Sequence, residues 1–165
     1  MKKEMTEQEA YLQLAALCAQ AEHCQHEMLE KMRKWELPEP VQARVMARLV
    51  KERYVDDERY ARAFVKDKIR YNKWGRRKVQ QALWLKRIDS DIQQTVLDEI
   101  SDDDYLKVLK PLLKQKSKGV KAESDYERNQ KLVRFAFGRG FTFDIIRQCL
   151  DTSDINEDEF EADED

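Results

Sequence analysis

Four residues of types that bind metal ions lie close together near the start of the chain. They are Cys18, His23, Cys24 and His26, within the stretch CAQAEHCQH. Cysteine and histidine are the usual ligands of structural zinc, which needs its ligands to converge on one point. If this stretch is one helix, successive side chains are rotated by about 100°, so the four would point in different directions around the axis. We therefore expect no metal site and no cofactor.

Two runs of acidic residues could suggest metal-dependent hydrolysis. They are DDE at 56–58 and SDDD at 101–104. Both precede predicted helices, where negative charge and capping side chains are favoured, so we interpret them as helix caps. The two histidines are only three residues apart, and we find no Ser/His/Asp or Cys/His arrangement and no glycine-rich phosphate loop. We therefore expect a protein without enzymatic activity.

Positive charge is concentrated in the middle of the chain. Residues 51–90 contain 13 basic and 6 acidic side chains, a net charge of +7, although the whole chain carries −2. Arg76 and Arg77 fall at the predicted start of a helix, where the helix dipole disfavours positive charge. This placement indicates a partner with negative charge, either phosphates or an acidic protein surface. The alternative is an ordinary solvated helix surface.

The candidate binding residues are the cations around a predicted turn at Gly75, together with the neighbouring tryptophan. The indole could stack on a base, anchor a protein interface, or close the protein's own core. Two other tryptophans, Trp35 and Trp84, are predicted to pack between helices or between repeats. We expect substitution of Arg76, Arg77 and Lys78 to spare the fold and weaken partner binding. The full candidate set is Lys66, Arg70, Lys73, Trp74, Arg76, Arg77, Lys78, Lys86 and Arg87.

Helical periodicity places these residues in a repeated architecture. Only 4 Gly and 3 Pro interrupt the 165 residues, and apolar residues recur at spacings of three and four. One such stripe recurs after 51 residues and again after a further 53: Leu37, Val41, Val45, Leu49; Ile88, Ile92, Val96, Ile100; Phe141, Ile145, Cys149. We predict an all-α protein of three tandem three-helix repeats, at 1–51, 52–101 (the basic repeat) and 102–151, with a looser connection near 117–124. The acidic residues 152–165 are predicted to be a disordered tail.

Three segments of the basic repeat carry a family resemblance. YVDDERYARAF (54–64), KWGRRKVQQAL (73–83) and RIDSDIQQTVL (87–97) resemble the central repeat of the RecX family, bacterial regulators of the RecA recombinase. RFAFGRGFTFDIIRQCL (134–150) resembles the last repeat of that family. The resemblance implies an elongated, curved array that binds RecA filaments. It also implies regulation of homologous recombination and DNA repair by modulation of RecA ATPase activity, filament extension and strand exchange, with inhibition as the expected direction.

The residues by themselves leave two other functions open. One is a helical module that binds single- or double-stranded DNA, and the other is an adaptor that binds only protein and does not depend on RecA. No apolar run approaches the roughly 20 residues of a membrane span, and the N-terminal stretch lacks the apolar segment of a secretory signal. Three cysteines without a CxxC pair do not suggest disulfides. We expect a cytoplasmic monomer with reduced thiols.

Overall fold

The computed structural model describes residues 4–161, which form ten α-helices and contain no β-strand. The all-α prediction is confirmed for this part of the chain. None of these helices combines the length and the apolar character that a membrane span requires. The helices are α1 Glu7–Gln20, α2 Gln25–Lys34, α3 Glu39–Lys51, α4 Asp57–Arg70, α5 Arg76–Leu85, α6 Ser90–Asp98, α7 Asp102–Gly119, α8 Asp125–Gly138, α9 Phe143–Arg147 and α10 Glu157–Glu161.

The chain groups into two compact units. One contains residues up to 64 together with 83–96, and the other contains 65–82 together with the residues from 97 onward. The limits of the units fall within α4, α5 and α6, so each of these helices contributes residues to both. The division into three repeats with limits at 51, 101 and 151 stays a prediction.

The first unit is built on the packing of α3 against α1 and α2. Each of the three helices buries one apolar face. The fully buried side chains include Leu14 on α1, Met28 and Met32 on α2, and Leu49 on α3. Burial of such side chains is the main driving force for the packing. Helix α3 starts after Pro38, which lies at the N-cap position where its missing N–H has no cost.

The second unit contains the mutually packed helices α7, α8 and α9. Leu109, Val133, Phe141 and Ile146 are fully buried there. The acidic runs act as caps, as predicted. Ser101 and Asp104 form a capping box at the start of α7, and Asp56 accepts the Arg59 N–H at 3.0 Å at the start of α4.

One corner geometry recurs at the spacing of the sequence repeat. In each corner the N–H of an apolar residue bonds back to a carbonyl five residues earlier, at 3.2 Å, and the residue before it has a left-handed backbone. The bonded pairs are Leu37 to Met32, Ile88 to Leu83 and Phe141 to Ala136, and the left-handed residues are Glu36 (φ 56°), Arg87 (φ 57°) and Gly140 (φ 93°). The spacings of 51 and 53 residues therefore correspond to a repeated structural element.

Two local predictions differ from the structure. The stretch from Cys18 to His26 is not one helix, because α1 ends at Gln20 and α2 begins at Gln25. The described residues contain no group of three or more His, Cys, Asp or Glu that could hold a metal ion. The looser connection is also shorter than predicted, since α7 continues to Gly119 and only 120–124 link it to α8.

The acidic C-terminal segment is more ordered than its composition suggests. Residues 157–161 form α10, and the ring of Phe160 lies 5.2 Å from Phe137 and 5.6 Å from Phe143, centroid to centroid. The Arg147 guanidinium donates two hydrogen bonds to Glu157, at 2.9 and 2.8 Å. Phe160 thus packs against two other aromatic rings. This order differs from the disorder predicted for the residues from 152 onward. Residues 162–165 of the predicted tail lie outside the described part of the chain.

Candidate partner-binding surface

The predicted binding residues do not all belong to one unit. Lys86 and Arg87 lie in the unit that contains α1–α3. The remainder, from Lys66 to Lys78, lie in the unit that contains α7–α9. Each group has its own structural surroundings.

The start of α5 is held against the end of α8 by its backbone. Gly75 donates its N–H to the carbonyl of Arg139 at 2.8 Å, and Arg77 donates its N–H to the carbonyl of Gly140 at 2.9 Å. A Cβ atom at position 75 would lie 2.3 Å from the Cα of Phe141, so only glycine permits this approach. The predicted role of Gly75 as the turn residue needs correction, because the left-handed residue of the loop is Lys73, with φ 59°.

The side chains of Arg76 and Arg77 have partners inside the protein. Arg76 donates to the carboxylate of Asp98 at 3.1 Å and to the carbonyl of Leu97 at 3.4 Å. Arg77 donates to the carbonyl of Phe137 at 3.1 Å, and its Cζ lies 3.7 Å from the centroid of that ring. These acceptors are at the C-terminal ends of α6 and α8, which carry partial negative charge. Both guanidinium groups therefore already have acceptors inside the protein, and their contact with an external partner stays a prediction.

The side chains of Trp74 and Lys78 are half-buried in the same corner. The ammonium groups of Lys78 and Lys68 lie 4.9 and 5.2 Å from the indole centroid, within cation–π range. A Cβ at Gly140 would lie 2.4 Å from the Cβ of Lys78, so the backbones are in close contact here as well. A cleft of about 580 Å³ opens beside this corner, lined by Arg77, Lys78, Gln80, Gln81, Phe137, Gly138 and Gly140.

Three of the predicted cations in the unit that contains α7–α9 are exposed to solvent. They are Lys66 and Arg70 on α4 and Lys73 in the loop that follows. Lys73 donates to the carbonyl of Arg70 at 2.6 Å, and the Arg70 guanidinium lies 5.4 Å from the ring of Tyr71, which is 68% exposed. Contact of these cations with a negatively charged partner would not break an ion pair such as the one between Arg76 and Asp98. We call Lys66, Arg70 and Lys73 the exposed basic set.

Lys86 links the end of α5 to the start of α2. Its Nζ lies 3.3 Å from Oε2 of Glu27, whose Oε1 accepts the Cys24 N–H at 3.1 Å. Burial by itself would raise the pKa of Glu27, but the hydrogen bond from Cys24 and the Lys86 charge hold it below its ordinary value. Lys86 therefore has an internal structural role.

Arg87 is exposed and lies beside an unexpected apolar surface. Its Cζ is 5.4 Å from the ring centroid of Trp84, which is 59% exposed, and the neighbouring Leu85 is 60% exposed. The prediction that Trp84 packs between helices is therefore wrong. The sequence already indicated this exposure. Val79 and Leu83 lie on one apolar stripe of the helix, and Trp84 and Leu85 are rotated by about 100° and 200° away from it.

The cysteine thiols are poor nucleophiles in this structure. Burial raises the pKa of Cys24 to about 12, and burial also raises the pKa of Cys18 and of Cys149. All three are free thiols. Because the thiolate is the reactive form, these residues stay protonated and unreactive near neutral pH.

The fold resembles solved RecX structures. The crystal structure of RecX from Lactobacillus salivarius superposes with a TM-score of 0.79 at 17% identity, covering 94% of this chain and 97% of that one. A second crystal structure, of a regulatory protein RecX, superposes with a TM-score of 0.78 at 18% identity, covering 86% of this chain and 70% of that one. At these identities the likeness concerns the fold.

Sequence comparison identifies the family. The model of the second three-helix domain of RecX matches residues 56–97, and that of the third matches 102–150. Proteins named regulatory protein RecX are 30% identical in Acinetobacter baylyi (82% of each chain covered) and 27% identical in Leuconostoc mesenteroides (84% of this chain, 52% of that one). In Bacillus cytotoxicus the identity is 26%, over 87% of this chain and 53% of the relative. The chain spans about half the length of the Leuconostoc and Bacillus relatives. The predicted resemblance is confirmed: the chain belongs to the RecX family.

Proposed function

We propose that this chain is a non-enzymatic regulator that binds RecA filaments and modulates, in the inhibitory direction, RecA ATPase activity, filament extension and strand exchange. Membership of the RecX family carries the proposal, together with the name regulatory protein that its relatives bear. In this proposal the chain acts as a cytoplasmic monomer. It needs no cofactor, because its action is binding.

The exposed basic set is the surface that best supports binding. Lys66, Arg70 and Lys73 are solvent-accessible, and the Arg70 guanidinium lies 5.4 Å from the exposed ring of Tyr71. They suit an acidic recombinase surface or DNA phosphates within the filament. Arg76 and Arg77 are weaker candidates than the sequence suggested, since their guanidinium groups already serve internal carbonyls and a carboxylate.

The test is a RecA ATPase assay on single-stranded DNA combined with strand exchange, with increasing amounts of this protein. We expect both activities to fall at amounts well below one copy per recombinase monomer. Replacing Lys66, Arg70 and Lys73 by Ala should raise the amount needed by about tenfold, on the order of one to two lost charge contacts. A matched control replaces Lys110, Lys114 and Lys118, which are exposed on α7, and should act like the unaltered protein. No effect of the unaltered protein on either activity would overturn the proposal.

A helical DNA-binding module is the second candidate function. Residues 68–88 contain eight cations and no carboxylate, a pattern suited to phosphates. That function predicts salt-dependent affinity for DNA of similar strength with and without RecA. An adaptor that binds only protein predicts negligible DNA affinity, so a DNA titration at several salt concentrations separates the three functions.

A further inference from the structure

Two kinds of contact join α10 to α8 and α9. Phe160 packs edge-on against Phe137 and Phe143, with its ring centroid 5.2 and 5.6 Å from theirs. Arg147 donates two hydrogen bonds to the carboxylate of Glu157, at 2.9 and 2.8 Å. All of these residues belong to the unit that contains α7–α9. The contacts therefore form one site within a single unit.

The surface that receives α10 consists of residue types that contribute strongly to binding. Phe137 and Phe143 are stacked on each other, with 5.1 Å between the ring centroids, and Phe143 is 7% exposed with α10 in place. The guanidinium of Arg147 meets its carboxylate through two bonds, which fixes the orientation of the pair as well as its charge. Aromatic residues and arginine are enriched among the residues that dominate binding energy. The surface combines an aromatic platform with an oriented cation.

Charge around this surface is mixed, and it suits a ligand that carries carboxylates. Arg147 also donates to the carboxylate of Asp144 on its own helix, so a ligand carboxylate would replace Glu157 and leave that bond in place. Arg134 of α8 lines a cleft together with Asp154 and Glu159 of the C-terminal segment. Opposite charges therefore occur where α8 and the segment approach each other.

The contacts that hold α10 allow it to leave the surface without unfolding of the unit. A helix of five residues is not stable by itself. The side chains of Arg147 and Glu157 are 44% and 32% exposed, so water weakens their attraction. The cleft beside them, of about 570 Å³, is lined by Tyr126 of α8 and by Phe160, so the segment does not pack against α8 along its whole length.

The bound segment shows which ligand chemistry the surface accepts. Glu157 and Phe160 are three residues apart, so they lie on the same side of α10. This spacing lets one short helix place a carboxylate on Arg147 and an aromatic ring on the two phenylalanines. An external protein segment with a carboxylate, an aromatic residue three positions later and further acidic residues would make the same contacts.

We propose that Phe137, Phe143 and Arg147 form a binding site for acidic peptide segments of this kind, and that α10 occupies the site as a displaceable competitor within the chain. The partner is a protein that offers such a segment. The inference goes beyond the proposed function and does not depend on it, because the contacts that define the site lie within this chain.

The experiment titrates the full chain with a fluorescently labelled peptide of residues 152–161 at fixed salt concentration. In the unaltered chain the apparent affinity is reduced by the fraction of molecules in which α10 covers the site. The double variant Glu157→Ala/Phe160→Ala removes this competitor. We expect it to bind the peptide about tenfold more tightly than the unaltered chain. Each single variant keeps one contact and should show a gain of about threefold.

Matched controls separate the specific contacts from general attraction of charge. A peptide with Ala in place of Phe160 carries the same charge and should bind the double variant about tenfold less tightly. Addition of Arg147→Ala to the double variant should weaken binding of the original peptide to a similar extent. Tyr71→Ala/Asp103→Asn removes an exposed ring and an exposed carboxylate elsewhere, and it should bind the peptide no more tightly than the unaltered chain.

Two results would overturn this binding site. One is equal peptide affinity of the unaltered chain and of the single and double variants, with circular dichroism showing that all of them are folded. The other is equal binding of the original peptide and the peptide without the aromatic ring, because charge alone would then account for the interaction. Either result leaves the proposed regulation of RecA standing.

Discussion

Cations that look equivalent in the sequence have three different roles in the structure. Arg76 and Arg77 bind the C-terminal ends of α6 and α8, and Lys86 pairs with Glu27. By contrast, Lys66 and Arg87 are exposed. A charge count treats all of them alike, because it does not register which acceptors lie within hydrogen-bond distance. Substitutions of single residues separate the structural cations from those available to a partner.

Arg77→Ala should destabilise the protein, contrary to the expectation that residues 76–78 can be replaced without effect on the fold. The variant loses a charged hydrogen bond to the carbonyl of Phe137 and the stacking on its ring, so we expect the free energy of unfolding to fall by about 2 kcal/mol. Urea denaturation followed by circular dichroism measures this change. Lys66→Ala removes an exposed cation and should stay within about 0.5 kcal/mol of the unaltered protein. Equal stability of the two variants would contradict the structural role of Arg77.

Gly75→Ala should be among the most harmful substitutions that add a single methyl group. The new Cβ would lie 2.3 Å from backbone atoms of Phe141, which cannot give way as a flexible side chain can. We expect a loss of about 3 kcal/mol in the free energy of unfolding. Gly119→Ala is the matched control, because nothing lies within 4 Å of its Cβ position and Ala favours helix. That variant should be neutral or slightly stabilised, and a similar loss in both would show that space is not the cause.

Specific contacts concentrate at helix ends. The end of α5 meets the start of α2 through Lys86, Glu27 and Cys24, and the start of α5 meets the end of α8. Backbone groups at helix ends lack intrahelical partners, so they are the natural places for such contacts. The stability of each unit therefore depends on these junctions as well as on its apolar core.

Glu27→Gln tests the junction of α2 and α5 through its dependence on pH. The pKa of Glu27 is lower in the folded state than the unfolded value of about 4.3, so its stabilisation is complete above that value and disappears as the pH falls through the folded pKa. We expect the variant to be less stable by about 1 kcal/mol at pH 7, and we expect this difference to shrink at an acidic pH below the folded pKa. Urea titrations at both pH values measure the difference. Glu30→Gln on the same helix replaces an exposed carboxylate that lies 3.0 Å from the half-buried His26, and it should show little effect at pH 7. A difference that persists at the lower pH would contradict the ion pair.

Phe160→Ala tests whether α10 depends on its contact with the aromatic rings. A helix of five residues is not stable by itself, so α10 requires Phe137 and Phe143 as well as the ion pair of Arg147 with Glu157. Loss of the ring should cost about 1 kcal/mol locally and raise the rate of cleavage by a glutamate-specific protease within 157–161 by about fivefold. Tyr71→Ala, which removes a ring that is 68% exposed, should not change the rate of cleavage there. An unchanged rate in Phe160→Ala would show that the ring does not hold α10.

Charge is distributed unevenly over the chain. The net charge of −2 combines a basic middle with nine acidic and no basic side chains in 151–165. Part of the basic charge serves internal contacts, and Arg147 holds one of the acidic residues, Glu157. The surface available to a partner is consequently smaller than the sequence indicated. The exposed basic set consists of cations whose substitution should leave the fold intact.

Local sequence patterns predicted much of the fold and the family. Helical periodicity and capping depend on residues within a few positions of one another, so the all-α class and the caps at Asp56 and Ser101 were accessible from the sequence. The apolar stripes spaced by 51 and 53 residues mark the three equivalent corners at Leu37, Ile88 and Phe141. The segments at 54–97 and 134–150 pointed to the RecX family, which the comparisons confirmed.

The roles of individual site residues required the three-dimensional structure. The partners of Arg76 and Arg77 lie 21 or more residues away along the chain, and Gly75 is constrained by Phe141, which has no local relation to it. Exposure of Trp84 and docking of Phe160 likewise depend on which surfaces meet after the helices pack. Contacts between segments that are far apart in the chain produce no periodic pattern of residues in the sequence. The sequence therefore determined the helices, their repetition and the family, whereas tertiary packing determined which charged and aromatic side chains remain free to bind a partner.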